Sequence, residues 1–450
     1  MTVQALTNLE RLFFALDKPT SPAQLAWLCV LAGRLSLPRL KAYIAERLGA
    51  IPHARERLSS RRPLGRPQWE EDQQFSLQNH VRLTTIRGAQ IEHALAAYSR
   101  LLQSPWNYER PLWEVHLLQP PRSGPSSILL RVHRGILPWA NEAAFVNAVL
   151  APQPSPPPPE APPVNQQVEG TAGGLPLLSV LPRLIRNPLA AAEDIRLFLD
   201  SSLNALRTWL TPAPAIPRLN GPLTGRTTFD LITCPAHEIR QIRGRVGGSA
   251  LEIILSCIIG GIAAVLHKQV ALPDDAYLSV CVPLTSGSEQ DAQRTGTRTT
   301  LGVARLPLNV SDPVERLRRV SAELDLLRAL QVPEQFRQML ALIRELPPAV
   351  FDVLSSVLPK AAPVNAICLE LPGLRERRYI AGKEVAHVVS MAPLALDVRV
   401  VIAVQSYATE LSACVSVDQE TGLQAGEIAA EARKALNDLT ESALLIKKTG

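Results

Sequence analysis

Aromatic side chains make up only 4% of this 450-residue chain, and its net charge of +6 comes with no interleaving of basic and aromatic residues. Binding to nucleic acid, which relies on basic stripes and stacking platforms, is therefore not expected. The six cysteines, Cys29, Cys234, Cys257, Cys281, Cys368 and Cys414, form no CxxC pair and no Cys/His cluster at metal-ligand spacing. Most sit in apolar runs, which fits reduced core thiols in a cytosolic protein. No HExxH or comparable ligand set appears, so neither metal hydrolysis nor a bound metal is expected. No GxSxG elbow supports a Ser-His-Asp hydrolase, since Gly247-Gly248-Ser249 runs on into Ala250-Leu251. The Gly-Gly pairs at 173, 247 and 260 are too sparse for a dinucleotide fingerprint or a P-loop. The chain opens without a basic segment followed by an apolar one, so no export signal is expected. Its longest apolar run, Ile253 to Leu266, is 14 residues and contains Ser256 and two glycines, which reads as a buried helix rather than a membrane span.

A hydrophobic content of 46% supplies material for two ordinary cores. The clearest boundary is the proline-rich run from Ala151 to Pro163, where missing amide donors and fixed φ rule out a helix or central strand. It divides the chain into a first domain over 1–150, a linker with crossover helices over 151–215, and a second domain over 216–450. Helical spacing is expected at Pro38 to Leu48 and Glu92 to Leu102, and strands at Leu25 to Leu31, Leu112 to Leu118 and Ser127 to Val132. In the second half, Ser249 to Leu266, Glu315 to Leu330 and Ala425 to Leu439 read as helices. Ala276 to Pro283, Leu301 to Leu308, Val364 to Leu371, Val385 to Val389 and Val398 to Ala403 read as strands. Both halves are thus mixed α/β. Between Leu175 and Thr211, arginines interrupt an apolar helical pattern, which reads either as basic amphipathic helices in a headgroup layer or as helices packed across the domain junction. The positive balance has two readings as well: contact with a membrane surface or an acidic cofactor, or an ordinary arginine-rich surface.

Several separated segments, in order, resemble the bacterial wax ester synthase/diacylglycerol acyltransferase family of CoA-dependent acyltransferases. They are Leu64-Gly-Arg-Pro-Gln-Trp69, Phe75-Ser-Leu-Gln-Asn-His-Val-Arg82, Arg110-Pro-Leu-Trp-Glu114, Leu219-Asn-Gly-Pro222, Ala381-Gly382 with Val385, and Ser406-Tyr407. The Pro-Leu-Trp segment is the most specific of these. The resemblance implies two chloramphenicol-acetyltransferase-like α/β domains with mixed sheets and flanking helices, joined by the proline-rich crossover. It implies acyl-CoA as co-substrate, a long-chain alcohol or diacylglycerol as acceptor, and neither metal nor redox cofactor.

The family's HHxxxDG signature falls on Val132-His133-Arg134-Gly-Ile-Leu-Pro138-Trp139. Its second histidine is the general base, for which imidazole has a suitable pKa. That position holds Arg134, and a guanidinium has no acceptor lone pair with which to take a proton. Pro138 stands at the aspartate position and Trp139 at the glycine; shifting the frame to make His133 the base puts Leu137 at the aspartate. Further departures fall at Leu251-Glu252 in place of an Asn-Asp pair, at Gly296-Thr297 in place of Gly-Asn, and at Leu369-Glu-Leu-Pro-Gly-Leu374 in place of SNVPGP.

Two roles remain open for His133: an unconventional base, or a polar group lining the old channel. Trp113, His116, Leu251, Glu252 and Thr297 are expected along that channel, with Arg134 facing a phosphate, a fatty carboxylate or Glu114. The other histidines show no partner spacing. The expected function is a divergent, catalytically impaired family member, a pseudoenzyme that still binds acyl-CoA or lipid. It is expected in the cytoplasm, peripheral on the inner membrane or on lipid bodies. The alternatives are an active O-acyltransferase forming wax ester or triacylglycerol, and a scaffolding module at membranes or lipid inclusions.

Overall fold

The computed structural model describes residues 4–59, 67–137, 142–155, 216, 218–285, 299–346, 351, 364–371 and 373–446. In the first half, strands β1 (Gln4–Ala5), β2 (Gln24–Leu31), β3 (Glu56–Ser59), β4 (Gln68–Glu71), β5 (Val81–Thr85), β6 (Trp113–Gln119) and β7 (Ser127–His133) are interspersed with helices α1 (Asn8–Leu16), α2 (Leu37–Ala45), α3 (Ile91–Leu102) and α4 (Glu142–Val149). The second half contributes β8 (Thr227–Pro235), α5 (Ala236–Arg245), α6 (Ala250–His267), β9 (Tyr277–Thr285), β10 (Thr299–Pro307), α7 (Pro313–Ala329) and α8 (Val332–Glu345). It continues with β11 (Ala366–Glu370), β12 (Tyr379–Ile380), β13 (Lys383–Met391), β14 (Val400–Tyr407), β15 (Glu410–Asp418) and α9 (Ala425–Leu445). The helices expected between Leu175 and Thr211 lie outside the described residues, as do Pro138, Trp139 and Thr297.

Two six-stranded mixed sheets form the frame. The first runs β12-β13-β2-β7-β6-β5, antiparallel except for the β5/β6 pair, and the second runs β10-β9-β11-β14-β15-β8, parallel at β9/β11 and β11/β14. All seven residues of β7 are buried, which explains its uninterrupted apolar reading. Its side chains alternate: Ile128, Leu130 and Val132 enter a core shared with the second half, while Leu129 packs with Ala94, Leu95 and Tyr98 of α3.

Strand β13 comes from the second half of the chain yet pairs antiparallel with β2, from Val385 opposite Leu31 to Met391 opposite Ala26. Ala381 and Gly382 form its two-residue turn with β12, with φ of 48° and 76°, the left-handed pair that matches the twist of a hairpin. The core under β2 and β7 therefore also includes Cys281, Ile367, Val401 and Tyr407.

The apolar run at 253–266 is the centre of α6, opened by a capping box in which the Ser249 hydroxyl accepts the Glu252 amide and the Glu252 carboxylate accepts the Ser249 amide. By length and composition α6 could cross a membrane, but 78% of it is buried against the second sheet and its neighbouring helices. It is a core helix, as its short run and internal glycines suggested.

Helix α9 approaches α6 so closely at Gly261 that an added Cβ would lie 2.6 Å from the Ile428 carbonyl oxygen and 2.8 Å from the Ala432 nitrogen. Backbone cannot yield as a side chain can, so Gly261→Ala is expected to destabilise by about 1–3 kcal/mol through overpacking. At Gly244, on α5, a Cβ meets nothing within 4 Å, and alanine there should instead stabilise by about 0.4–1 kcal/mol. Urea unfolding midpoints of the two variants should move in opposite directions; a Gly261→Ala midpoint at or above the wild type would contradict the close contact.

Candidate active site

Strand β7 ends at His133, and the chain then turns through a 3-10 helix at Arg134–Ile136. The His133 side chain makes that turn possible: its Nδ1 accepts the Gly135 amide at 2.9 Å. Only glycine fits at 135, because a Cβ there would meet the Phe14 ring at 2.5 Å and His133 Nδ1 at 3.0 Å. His133 is fully buried, stacked on Phe14 with ring centroids 4.7 Å apart, and edged by Trp106 and Tyr108 at 6.1 Å each.

A backbone amide can only donate, so Nδ1 must be the unprotonated nitrogen and the neutral ring carries its proton on Nε2. Nε2 faces Asp17 Oδ1 at 3.7 Å, beyond hydrogen-bond distance. Asp17, just past the end of α1, accepts the Ala23 amide at 2.7 Å and the Tyr108 hydroxyl. Burial pushes the Asp17 carboxyl upward, but His133, Tyr108 and the Ala23 amide outweigh it and hold the group below its usual range. Burial and the Asp17 charge together push the Tyr108 hydroxyl up. His133 thus offers a proton at Nε2, and its lone pair is committed to the turn.

Arg134 donates to the Glu142 carboxylate at the start of α4 and lies over the Phe13 ring at 4.9 Å, with both charged side chains 15% exposed. The expectation that Arg134 could pair with Glu114 is corrected here. Glu114 is taken by Arg131 and His116, each at 3.1 Å, on the buried face of β6 and β7. Arg131 also donates to Gln24 Oε1 at 2.7 Å and to the Ser104 carbonyl at 2.8 Å, and lies 4.4 Å over Trp106.

Trp113, His116, Leu251 and Glu252, expected along a channel, have the following surroundings. Trp113 is fully buried, its indole donates to the Ala54 carbonyl at 3.0 Å, and it stacks on His80 at 4.6 Å. His116 is enclosed between Glu114 and the Thr84 hydroxyl at 3.2 Å. Leu251 belongs to the helical core of the second domain, and Glu252 caps α6 while binding Ser321 and Arg328, both at 2.9 Å. Leu251 packs, and the polar groups of the other three satisfy neighbours. Conversely, the residues that do surround His133, namely Phe14, Asp17, Trp106 and Tyr108, carried no motif. The one available signal was the Trp106-Asn-Tyr108 cluster just before Pro111-Leu-Trp113. Among the described residues, no group of three or more metal-ligating side chains occurs.

The Arg131–Glu114 pair generates a pH prediction. Burial raises the Glu114 carboxyl, but His116 and Arg131 overcome it and leave the group below its ordinary value. A depressed folded-state pKa contributes stability that is complete above the unfolded value, about 4.3, and is lost as pH falls through the folded one. Glu114→Gln strands the buried Arg131 charge and should cost about 3–5 kcal/mol at neutral pH. The gap from wild type should narrow below about pH 4; a gap constant with pH in denaturant titrations would show that the pair carries no charge-dependent stability.

The wax ester synthase/diacylglycerol acyltransferase catalytic domain matches residues 6–251, and the family's C-terminal domain matches 295–440. A Mycobacterium tuberculosis relative named as a candidate diacylglycerol O-acyltransferase is 24% identical over 340 residues, covering 71% of this chain and 66% of the relative, just under two thirds of its length. Among solved structures, the wax ester synthase/diacylglycerol acyltransferase of Marinobacter aquaeolei VT8 superposes with a TM-score of 0.69 at 20% identity, over 98% of this chain and 100% of that one. The starter condensation domain of rhizomide synthetase, solved as a mutant in complex with C8-CoA and Leu-SNAC, follows at 0.56 and 12% identity, over 99% and 96%. These structural likenesses establish the two-domain acyltransferase fold. With the family's catalytic domain matched across more than half of its length, the chain belongs to the wax ester synthase/diacylglycerol acyltransferase family.

Proposed function

We propose that this chain is a family member that binds acyl-CoA and lipid but has lost efficient acyl transfer. The observation that carries the reading is the state of the two residues at the signature. Arg134 stands where the family's base would be, ion-paired to Glu142, and His133 spends its only lone pair on the Gly135 amide. Deprotonating an alcohol for attack on an acyl thioester needs a basic nitrogen, and neither residue supplies one in this arrangement. Acyl-CoA as the retained ligand is supported by the C8-CoA complex of the condensation domain that shares this fold. The acceptor class, a long-chain alcohol or diacylglycerol, is supported by family membership. A cytoplasmic location against a membrane surface or lipid inclusion would bring the protein to such acceptors, and the net charge of +6 suits an anionic surface.

A second reading, an active acyltransferase, draws on one feature: Asp17 behind His133 resembles the carboxylate that orients an imidazole base. To act, His133 would have to give up the Gly135 hydrogen bond, keep its proton on Nε2 toward Asp17, and use Nδ1 as the base.

Radiolabelled acyl-CoA with hexadecanol or diacylglycerol separates the readings. A general base contributes about 10²- to 10⁴-fold. Wild-type turnover is therefore expected at least about 100-fold below that of Arg134→His/Pro138→Asp/Trp139→Gly, while both proteins retain acyl-CoA in equilibrium dialysis. Robust wild-type turnover that disappears in His133→Ala would establish the active reading instead.

A further inference from the structure

We propose that the second domain carries a separate site for a hydroxyl-bearing phosphomonoester, on the helical side of its sheet and distinct from the His133 cluster. A cavity of about 520 Å³ opens there between the C-terminal part of α6, the loop leading into α7, and α9. That size suits a small metabolite.

The key residue is Arg316, on the first turns of α7. It is 7% exposed, and its Nε donates to the Ser256 carbonyl and its Nη1 to the Val310 carbonyl, both at 3.0 Å. Both partners are neutral carbonyls, and among the described residues no carboxylate lies within ion-pair distance. Buried charges in folded proteins are as a rule compensated, and here Asp312 and Asp438 act on the guanidinium from beyond ion-pair distance. Both Nη2 protons remain unused, and the guanidinium lines the cavity. Gly260 makes room for it: a Cβ at that position would lie 2.7 Å from Cζ and 2.8 Å from Nη2.

A second cation, Lys434 on α9, lines the same cavity; among the described residues no carboxylate lies within ion-pair distance of it, and the neighbouring Glu431, on whose charge it acts, is held by Lys268 at 2.6 Å. The open Nη2 end of the guanidinium beside an ammonium suits a phosphate group, with Nη2 donating to its oxygens and the lysine supplying charge. Two further carboxylates, Asp274 and Asp438, also line the cavity. Against a bare anion they would be repulsive. As acceptors for hydroxyl groups they fit the rest of a polyol ester, and this selects a hydroxylated phosphomonoester over inorganic phosphate. His267, held between the Ala263 carbonyl at 2.7 Å and Asn309 Oδ1 at 2.8 Å, closes one wall.

The test is calorimetric titration of the full-length protein with glycerol phosphate, a hexose phosphate, inorganic phosphate and sulfate at matched ionic strength. The expected result is saturable binding of one of the two esters, at least about 10-fold tighter than inorganic phosphate. Arg316→Gln should weaken it by about 10-fold or more. Lys434 is exposed, so Lys434→Gln keeps the fold and decides the matter if Arg316→Gln does not fold; it too should weaken binding. Asp274→Asn should erode the preference for ester over inorganic phosphate. No saturable binding at millimolar ligand, equal affinity for esters and sulfate, or binding unchanged by Lys434→Gln would each overturn the assignment.

Discussion

The antiparallel pairing of β13 with β2 is the constraint on which the rest of the molecule depends. It inserts a strand from the second half of the chain into the first sheet, so the two halves cannot separate without breaking a ladder from Leu31 to Ala26. Polar side chains fix the seam: Ser412 donates to the Val388 carbonyl at 3.4 Å, Ser416 to the Ala392 carbonyl at 3.0 Å, and Ser390 to Gln405. The Tyr407 hydroxyl at the end of β14 donates to the Val385 carbonyl at 2.7 Å. A shift of one residue would turn every β13 side chain to the wrong face and leave these buried polar groups unpaired. Since β2 is also the neighbour of β7, the same pairing sets where His133 emerges.

At that point the side chains of His133 and Arg134 serve the local structure. In His133 a lone pair that could accept a substrate proton closes a 3-10 turn instead, and Gly135 is required because Phe14 lies against it. In Arg134 a permanent cation replaces a titratable ring, and burial of that cation is tolerable because Glu142 and Phe13 lie beside it. Arg134 and its counter-charge form a consistent local solution.

Much of this frame was legible from periodicity. The apolar runs that became β2, β7, β9, β13 and α6 have compositions that allow one solution, buried strand or buried helix. The strands β8 and β15 were not legible, because Thr227 to Asp230 and Ser412 to Ser416 interleave polar residues with apolar ones; their burial comes from tertiary neighbours rather than pattern. Helix α8 was missed because its apolar positions face α1 across a long sequence separation. The site was less legible than the fold. The register of His133 and Arg134 could be read, but the acid expected beside Arg134 was Glu114, whereas its partner is Glu142. Only the alternation of β6, which buries Glu114 beside Arg131, decides between them.

The residues that carry the family resemblance are mostly packing residues, and this bears on what resemblance can argue. Trp69, Trp113 and Tyr407 are at most 5% exposed, and Gly382 holds a left-handed turn. Such positions fix a fold because any change in them costs core contacts or backbone strain. Chemistry is under no such constraint: exchanging imidazole for guanidinium at 134 leaves the sheets intact provided the new charge finds a partner, as it does in Glu142. Likeness spread over packing positions therefore establishes ancestry of the scaffold and is silent on catalysis.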